Sequence, residues 1–194
     1  MKKVLFLTPN LGTGGGGAER QLSNLAVLLK ENEFEVEVLC YAEGDFYANT
    51  LTDNYIPIIW KVENNPFKRI IKVRRQIRRG NYDAVISFLH TPNLLNNISA
   101  IGGKSWKVIT GERSAKNSTF ISRRGKVLAF FQRYADAIVC NSNNSKEMWK
   151  RYYPQYENKL TTIYNIITLP EINTEYIPKR SNKLHIIVAA SYNH

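Results

Sequence analysis

Four consecutive glycines, Gly14 to Gly17, lie between an apolar run, Val4 to Leu7, and a patterned stretch that opens at Ala18. Glycine loses more backbone freedom on ordering than any other residue, so such a run is expected only where positive φ or close approach forbids a side chain. Val4, Leu5, Phe6 and Leu7 show no polar alternation, the pattern of a strand buried on both faces in a helix-covered parallel sheet. Leu22, Leu25, Ala26, Leu28 and Leu29 recur at steps of three and four, which predicts an amphipathic helix from Ala18 to about Lys30. The glycines therefore stand at a helix N-terminus, where unpaired N–H groups and the helix dipole make a seat for a phosphate or diphosphate. A surface turn without a ligand is the competing reading; the seat is favoured because ligands of open α/β sheets bind at this kind of turn.

Further strand-like runs follow at Glu35 to Tyr41, Ile56 to Val62, Ala84 to Phe88, Trp106 to Thr110, Ala137 to Cys140 and Leu160 to Tyr164. Helical patterns separate most of them, which specifies an α/β fold with a doubly wound, mainly parallel, Rossmann-like sheet. The 194 residues suffice for one good core. From Thr168 to Lys183 the composition turns polar and proline-bearing, as in an interdomain linker, and Leu184 to Ala190 reads as one more apolar strand. One strand cannot make a domain, so the expected layout is a domain over residues 1–167, a linker over 168–183 and the first strand of a second domain over 184–194.

A net charge of +11 predicts attraction to anionic partners without choosing among nucleic acid, membrane and phosphorylated small molecules. Cys40 and Cys140 lie far apart in apolar runs, the usage of a reduced protein with two core thiols, and no metal-ligand spacing occurs. Met1-Lys2-Lys3 precedes too short an apolar run for a signal peptide, and no run approaches the length of a membrane span. A cytoplasmic protein is expected.

Between Phe67 and Arg79 the apolar residues Phe67, Ile70, Ile71 and Ile77 are read as one stripe, with Lys68, Arg69, Lys72, Arg74, Arg75, Arg78 and Arg79 over the rest and Gly80 as terminator. Such a face is either solvated or a peripheral contact with an anionic membrane, for which Lys68, Arg69, Lys72, Arg75 and Arg79 are the candidates. Arg123, Arg124, Lys126 and Arg133, among Ile121, Val127, Leu128, Phe130, Phe131 and Tyr134, form a smaller basic stretch that could add to the same face, on a helix expected to be packed core with a basic outer side. His90 follows the fourth strand, with Thr91 and Pro92 read as N-cap and first helical residue. At that edge of an open sheet an imidazole is a site candidate, and equally an ordinary surface residue. Glu112 and Arg113 reach the same edge, as a cleft rim or as a local ion pair, and Ala115 to Ser122 is expected to be a mobile loop. Asn143, Asn144 and Ser145 offer caps for a helix that stops at Pro154.

Gly12, Gly14 and Gly17 satisfy G-x-G-x-x-G, and Glu43 could stand where dinucleotide enzymes place a ribose-binding acid. In a run this rich in glycine the match is weak, and the turn before it is long. Gly103-Lys104-Ser105 is not a P-loop, because Ile98 stands where that motif needs glycine.

In order along the chain, Gly16-Gly17-Ala18-Glu19-Arg20 with Asn24-Leu25-Ala26 and Leu29, Ala84 to Leu89, Ile109 to Ser114, Tyr134 to Ser142 and Ile163-Tyr164-Asn165 resemble the N-terminal domain of glycosyltransferase family 4. The resemblance implies the N-terminal half of a GT-B enzyme, in which two Rossmann-like domains face each other across a cleft. It also implies retaining, metal-independent and cofactor-free transfer of a sugar (the hexosyltransferase type) from a nucleotide-sugar donor to a polysaccharide, lipopolysaccharide or lipid-linked acceptor. Under it, Gly14, Gly15, Gly16 and Gly17 approach the donor diphosphate, His90 lines the cleft near the reacting sugar, and Glu112 and Arg113 lie at its acceptor-side rim. The donor nucleotide belongs to the other domain, so the fragment alone is expected to be inactive, with no nucleic acid as partner. Two other classes stay open: a nicotinamide-dependent oxidoreductase domain using Gly12 to Gly17, and a non-catalytic module that binds a membrane or nucleic acid through the basic helix.

Overall fold

A computed structural model of the protein describes residues 1–113 and 116–167. Strands β1 (Lys3–Thr8), β2 (Glu35–Cys40), β3 (Ile58–Trp60), β4 (Ala84–Phe88), β5 (Lys107–Glu112), β6 (Ala137–Cys140) and β7 (Leu160–Thr162) form one sheet in the order 3-2-1-4-5-6-7. All six neighbouring pairs are parallel. The linker and final strand expected over 168–194 lie outside the described residues, as do Ser114 and Ala115.

The order reverses after β3, so right-handed crossovers put the helices on two faces. On one face α1 (Gly17–Glu31) and α2 (Ala48–Thr52) cover Val4, Phe6, Val36 and Val38 with Leu22, Ala26 and Leu51. On the other, α3 (Pro66–Arg79), α4 (His90–Ser99), α6 (Arg123–Phe131) and α7 (Asn143–Tyr152) cover Leu5, Leu7, Val85, Val108 and Ile138 with Val73, Ile77, Leu95, Ala129 and Trp149. The unbroken apolar run of β1 is thus used on both sides, as a central strand requires.

Local expectations fail in instructive places. The segment read as a mobile loop contains α5 (Asn117–Ile121), because Phe120 is buried edge-on against Trp149 and stacked on Tyr152. Tyr153 Oη donates to the Phe120 carbonyl at 2.7 Å, and Gly125 lets α6 approach so closely that a Cβ there would lie against the Thr119 carbonyl. Helix α4 begins at His90 itself, so Thr91 and Pro92 are its second and third residues. Helix α7 is capped by Ser142, whose hydroxyl accepts from Ser145 N, and not by the asparagines that follow. Gly80 keeps φ of −83°; Asn81 takes the left-handed turn at 51°, and Gly80 is needed because a Cβ would collide with the Tyr82 ring. The stripe read on α3 divides: Ile77 is buried, together with Val73, which lies outside that stripe, whereas Phe67 and Ile71 point into solvent.

A buried amide network ties α4 to the strand ends. Ser87 Oγ donates to Asn93 Oδ1 at 2.9 Å, and Asn93 Nδ2 donates to the Gly111 carbonyl at 3.0 Å. Asn96 Nδ2 reaches the Val85 carbonyl, while Asn97 Nδ2 and Thr110 Oγ1 both donate to Gln132 Oε1. These bonds fix the carboxyl ends of β4 and β5 against each other. Polar groups this deep hold position because any of them left unpaired would keep its full desolvation penalty.

Candidate functional site

The strand order switches between β1 and β4, and their carboxyl ends border the crevice where open α/β sheets take ligands. The loop leaving β1 is clamped at its base. Leu11 N donates to the Gly44 carbonyl, Tyr41 N and Ala42 N to that of Pro9, and Asn10 bridges Glu43 and Gly12. Gly12 and Gly15 have φ of 88° and 87°, which side chains other than glycine's rarely adopt, and both rest near the Phe46–Tyr47 pair.

Gly14 and Gly17 differ in kind. A Cβ on either would meet nothing within 4 Å, and neither has positive φ, so the chain's own packing does not demand glycine there. No acceptor among the described residues engages the amides of Gly14, Gly15, Gly16 or Gly17. These glycines are exposed apart from half-buried Gly16, whose open side is taken by Glu19: the carboxylate lies where a Gly16 Cβ would be. Glu19 occupies the first turn of α1, where the dipole favours an acid. The free donors therefore cluster at the loop tip and the first residue of α1.

At the end of β4, Leu89 has φ of 73° and ψ of 162°, a conformation costing an L-residue about 1–3 kcal/mol and held only when its surroundings enforce it. It turns the chain into His90, the first residue of α4. His90 Nε2 lies 2.8 Å from the Arg124 carbonyl, which can only accept, so Nε2 carries a hydrogen. His90, Thr91 and Leu94 line a cleft of about 890 Å³ with Thr119, Ser122 and Arg124.

Glu112 closes β5 and is buried, with Oε1 accepting from Arg113 N at 2.9 Å. Arg113 turns away from it. Its guanidinium stacks on the Phe88 ring, 3.8 Å from the centroid, and donates to Asn165 Oδ1 at 2.8 Å. Burial pushes its pKa down, partly offset by Glu112. The two do not form the ion pair that their adjacency suggests. Arg113 lines a polar recess of about 230 Å³ with Gly17, Ala18, Arg20, Asn141 and Asn165. Sequence reasoning does not assign Arg20, Asn141 and Asn165 to the site; their signals are membership of the stretches that carry the family resemblance and position, one turn into α1 and just past the ends of β6 and β7.

On α3 the five membrane candidates separate. Arg69 Nε donates to the Glu63 carbonyl and the guanidinium lies 4.9 Å from the Tyr41 centroid, while Lys72 pairs with Glu63 at 2.7 Å. Lys68, Arg75 and Arg79 are exposed and form no ion pair among the described residues. Arg74 and Arg78 donate to the carbonyls that end α4, including Ser99 and Ile101, and so serve as a cationic cap. Among the described residues no helix is long and apolar enough to cross a membrane, and no cluster of potential metal ligands occurs.

Comparison with known proteins gives a consistent result. The model of the family described as Glycosyltransferase Family 4 matches residues 15–169. A curated relative, the GalNAc-α-(1→4)-GalNAc-α-(1→3)-diNAcBac-PP-undecaprenol α-1,4-N-acetyl-D-galactosaminyltransferase of Campylobacter jejuni, is 26% identical over 163 residues, covering 78% of this chain. The chain spans 44% of that relative's length. Among solved structures, Anabaena Alr3699/HepE in complex with UDP-glucose superposes with a TM-score of 0.68 at 20% identity, covering 85% of this chain and 44% of its own. The UDP-GlcNAc 2-epimerase of Methanocaldococcus jannaschii gives 0.60 at 15% identity, with coverage of 85% and 46%. These likenesses show the fold, which serves epimerases as well as transferases.

Proposed function

The chain belongs to glycosyltransferase family 4, and from that premise we propose that its protein transfers a sugar from a nucleotide-sugar donor to a saccharide acceptor. The acceptor is a polysaccharide, a lipopolysaccharide or a lipid-linked saccharide, and the chain forms the acceptor-side wall of the reaction cleft. The carrying observation is the unengaged amide cluster at Gly14, Gly15 and Gly17, at the switch point, where two of the three glycines are not required by the chain's own packing. The Anabaena neighbour is a complex with UDP-glucose, and the Campylobacter relative is named for an undecaprenol-diphosphate-linked saccharide; both support the classes of donor and acceptor.

In this reading the donor diphosphate rests on the loop-tip amides. Charge that develops on it as the glycosidic bond breaks is stabilised by donors already in place, an effect that grows when a facing domain excludes water. His90 lines the cleft near the transferred sugar, and Arg113, braced by Phe88 and Asn165, supplies positive charge at the acceptor side. The transfer proceeds with retention, without a resident metal or cofactor, in a protein held peripherally on the cytoplasmic membrane face where a lipid-linked acceptor lies. The dinucleotide alternative is less well supported, since the matching family is one of glycosyltransferases and Glu43 contributes only its main-chain carbonyl to the loop.

The test uses the full-length protein with a panel of nucleotide sugars and lipid-linked or saccharide acceptors. Acceptor-dependent release of nucleoside diphosphate is expected, unaffected by EDTA, with the donor's anomeric configuration kept in the product by NMR. Protection by NAD and not by any nucleotide sugar in a thermal-shift assay would overturn the proposal.

A further inference from the structure

Periodicity alone makes helix α3 a charged cylinder with one apolar stripe, but its exposed side is itself apolar and basic. At about 100° per residue, Phe67, Ile71, Arg75, Lys68, Arg79 and Lys72 fall within about 140° of the circumference. Phe67 is 78% and Ile71 65% exposed, one turn apart, on the side away from buried Val73 and Ile77.

Helix α6 repeats the arrangement. Lys126, Phe130, Arg123 and Val127 share about 100° of its outer side, opposite buried Leu128 and Ala129. Phe130 is 55% and Val127 47% exposed. Arg133 lies over Phe130, 3.9 Å from its centroid. Between them runs α4, which packs on both and is buried along nearly its whole length, with Thr91 its one exposed residue. With about 8–10 Å between packed axes, α3 and α6 stand as two ridges about 20 Å apart on one face of the molecule. Not one of the three helices contains an Asp or Glu.

We propose that these two ridges form a single bilayer-docking plane, with Phe67, Ile71, Val127 and Phe130 entering the interfacial layer of an anionic membrane and Lys68, Arg75, Arg79, Arg123 and Lys126 meeting its headgroups. A polyanion in water would attract the cations but leave the aliphatic side chains of Ile71 and Val127 without gain. A surface with hydrocarbon just beneath anionic headgroups uses both. Both helices start toward the carboxyl edge of the sheet, so docking on this face brings the His90 cleft to the membrane. The inference rests on the peripheral-membrane part of the proposed function and fails separately from it, since vesicle binding requires no turnover.

The test is co-sedimentation of the full-length protein with phosphatidylcholine vesicles with and without phosphatidylglycerol. Binding is expected only with phosphatidylglycerol. Replacing Lys68, Arg75 and Arg79 by Gln should weaken it on the order of a hundredfold, about fivefold per cation. Phe67→Ser with Ile71→Ser, and separately Phe130→Ser with Lys126→Gln, should each weaken it about tenfold or more, because each buried CH₂ contributes measurably to interfacial affinity. All these positions are exposed, so far-UV circular dichroism should not change. An environment-sensitive dye on Phe67→Cys should shift to the blue on vesicle addition. No binding to phosphatidylglycerol vesicles, an unshifted dye, or binding lost with the α3 variants but untouched by the α6 variant would overturn the two-ridge plane. So would RNA binding through these cations with vesicle binding absent.

Discussion

Gly17 offers a perturbation in which stability and activity should move in opposite directions. It is the first residue of α1, has no positive φ, and leaves open space where a Cβ would go. Gly17→Ala should therefore stabilise the fold by about 0.4–1 kcal/mol, mainly by restricting the unfolded chain. At about 2–4 °C per kcal/mol for a domain of this size, that is a rise of roughly 1–4 °C in Tm. If a diphosphate closes on the loop-tip amides, the added methyl displaces it by about 1 Å, a misplacement that costs on the order of a hundredfold in rate. Gly15→Ala is the internal control. Its φ of 87° forces strain on any side chain, so it should lower Tm as well as activity. The assay is kcat/KM for transfer by the full-length enzyme, with calorimetry on the same preparations. A Gly17→Ala protein that melts higher and transfers at the wild-type rate would refute the phosphate role of the loop.

Asn93→Ala removes the acceptor of the buried Ser87 hydroxyl, whose oxygen keeps only its bond from Asn96 Nδ2, and the side-chain donor to the Gly111 carbonyl. At about 1–3 kcal/mol for a buried donor left unsatisfied, the loss of the Ser87 acceptor should lower stability by about 1–3 kcal/mol, read by urea unfolding. Burial pushes the Cys40 thiol up to about 12 and the Cys140 thiol up to about 11, so neither should react with iodoacetamide near neutral pH until the protein is denatured. Asp136 is partly buried, which opposes ionisation, yet hydrogen bonds from Lys104 and Val108 N hold its pKa below the usual carboxylate range. A depressed folded-state pKa stabilises above the unfolded value, and that contribution is lost as pH falls through the folded one. Asp136→Asn should accordingly melt below wild type at pH 7, with the gap closing in acid; a gap independent of pH would show that the charge is not what matters.

The strands and their parallel arrangement are legible in the chain because burial on both faces leaves an unbroken apolar run, as in Val4 to Leu7, and Ala84–Phe88 and Ala137–Cys140 coincide with their runs to the residue. The glycine loop is legible for a similar reason, since entropy makes a run of four glycines informative without any partner. Periodicity, however, says which residues share a helix face and not what that face meets. Phe67 and Ile71 fit the apolar stripe of α3, and the chain alone does not show that Val73 and Ile77 already fill the contact with the sheet. Adjacency misleads in the same way at Glu112 and Arg113, where the strand end sends one side chain inward and the other onto Phe88 and Asn165, 52 residues away from it in sequence. Local pattern determines the elements because backbone hydrogen bonding and burial act over a few residues. Which amides stay free, which arginines cap α4 and which aromatics face solvent depend on contacts between distant segments, and only the packed fold decides those.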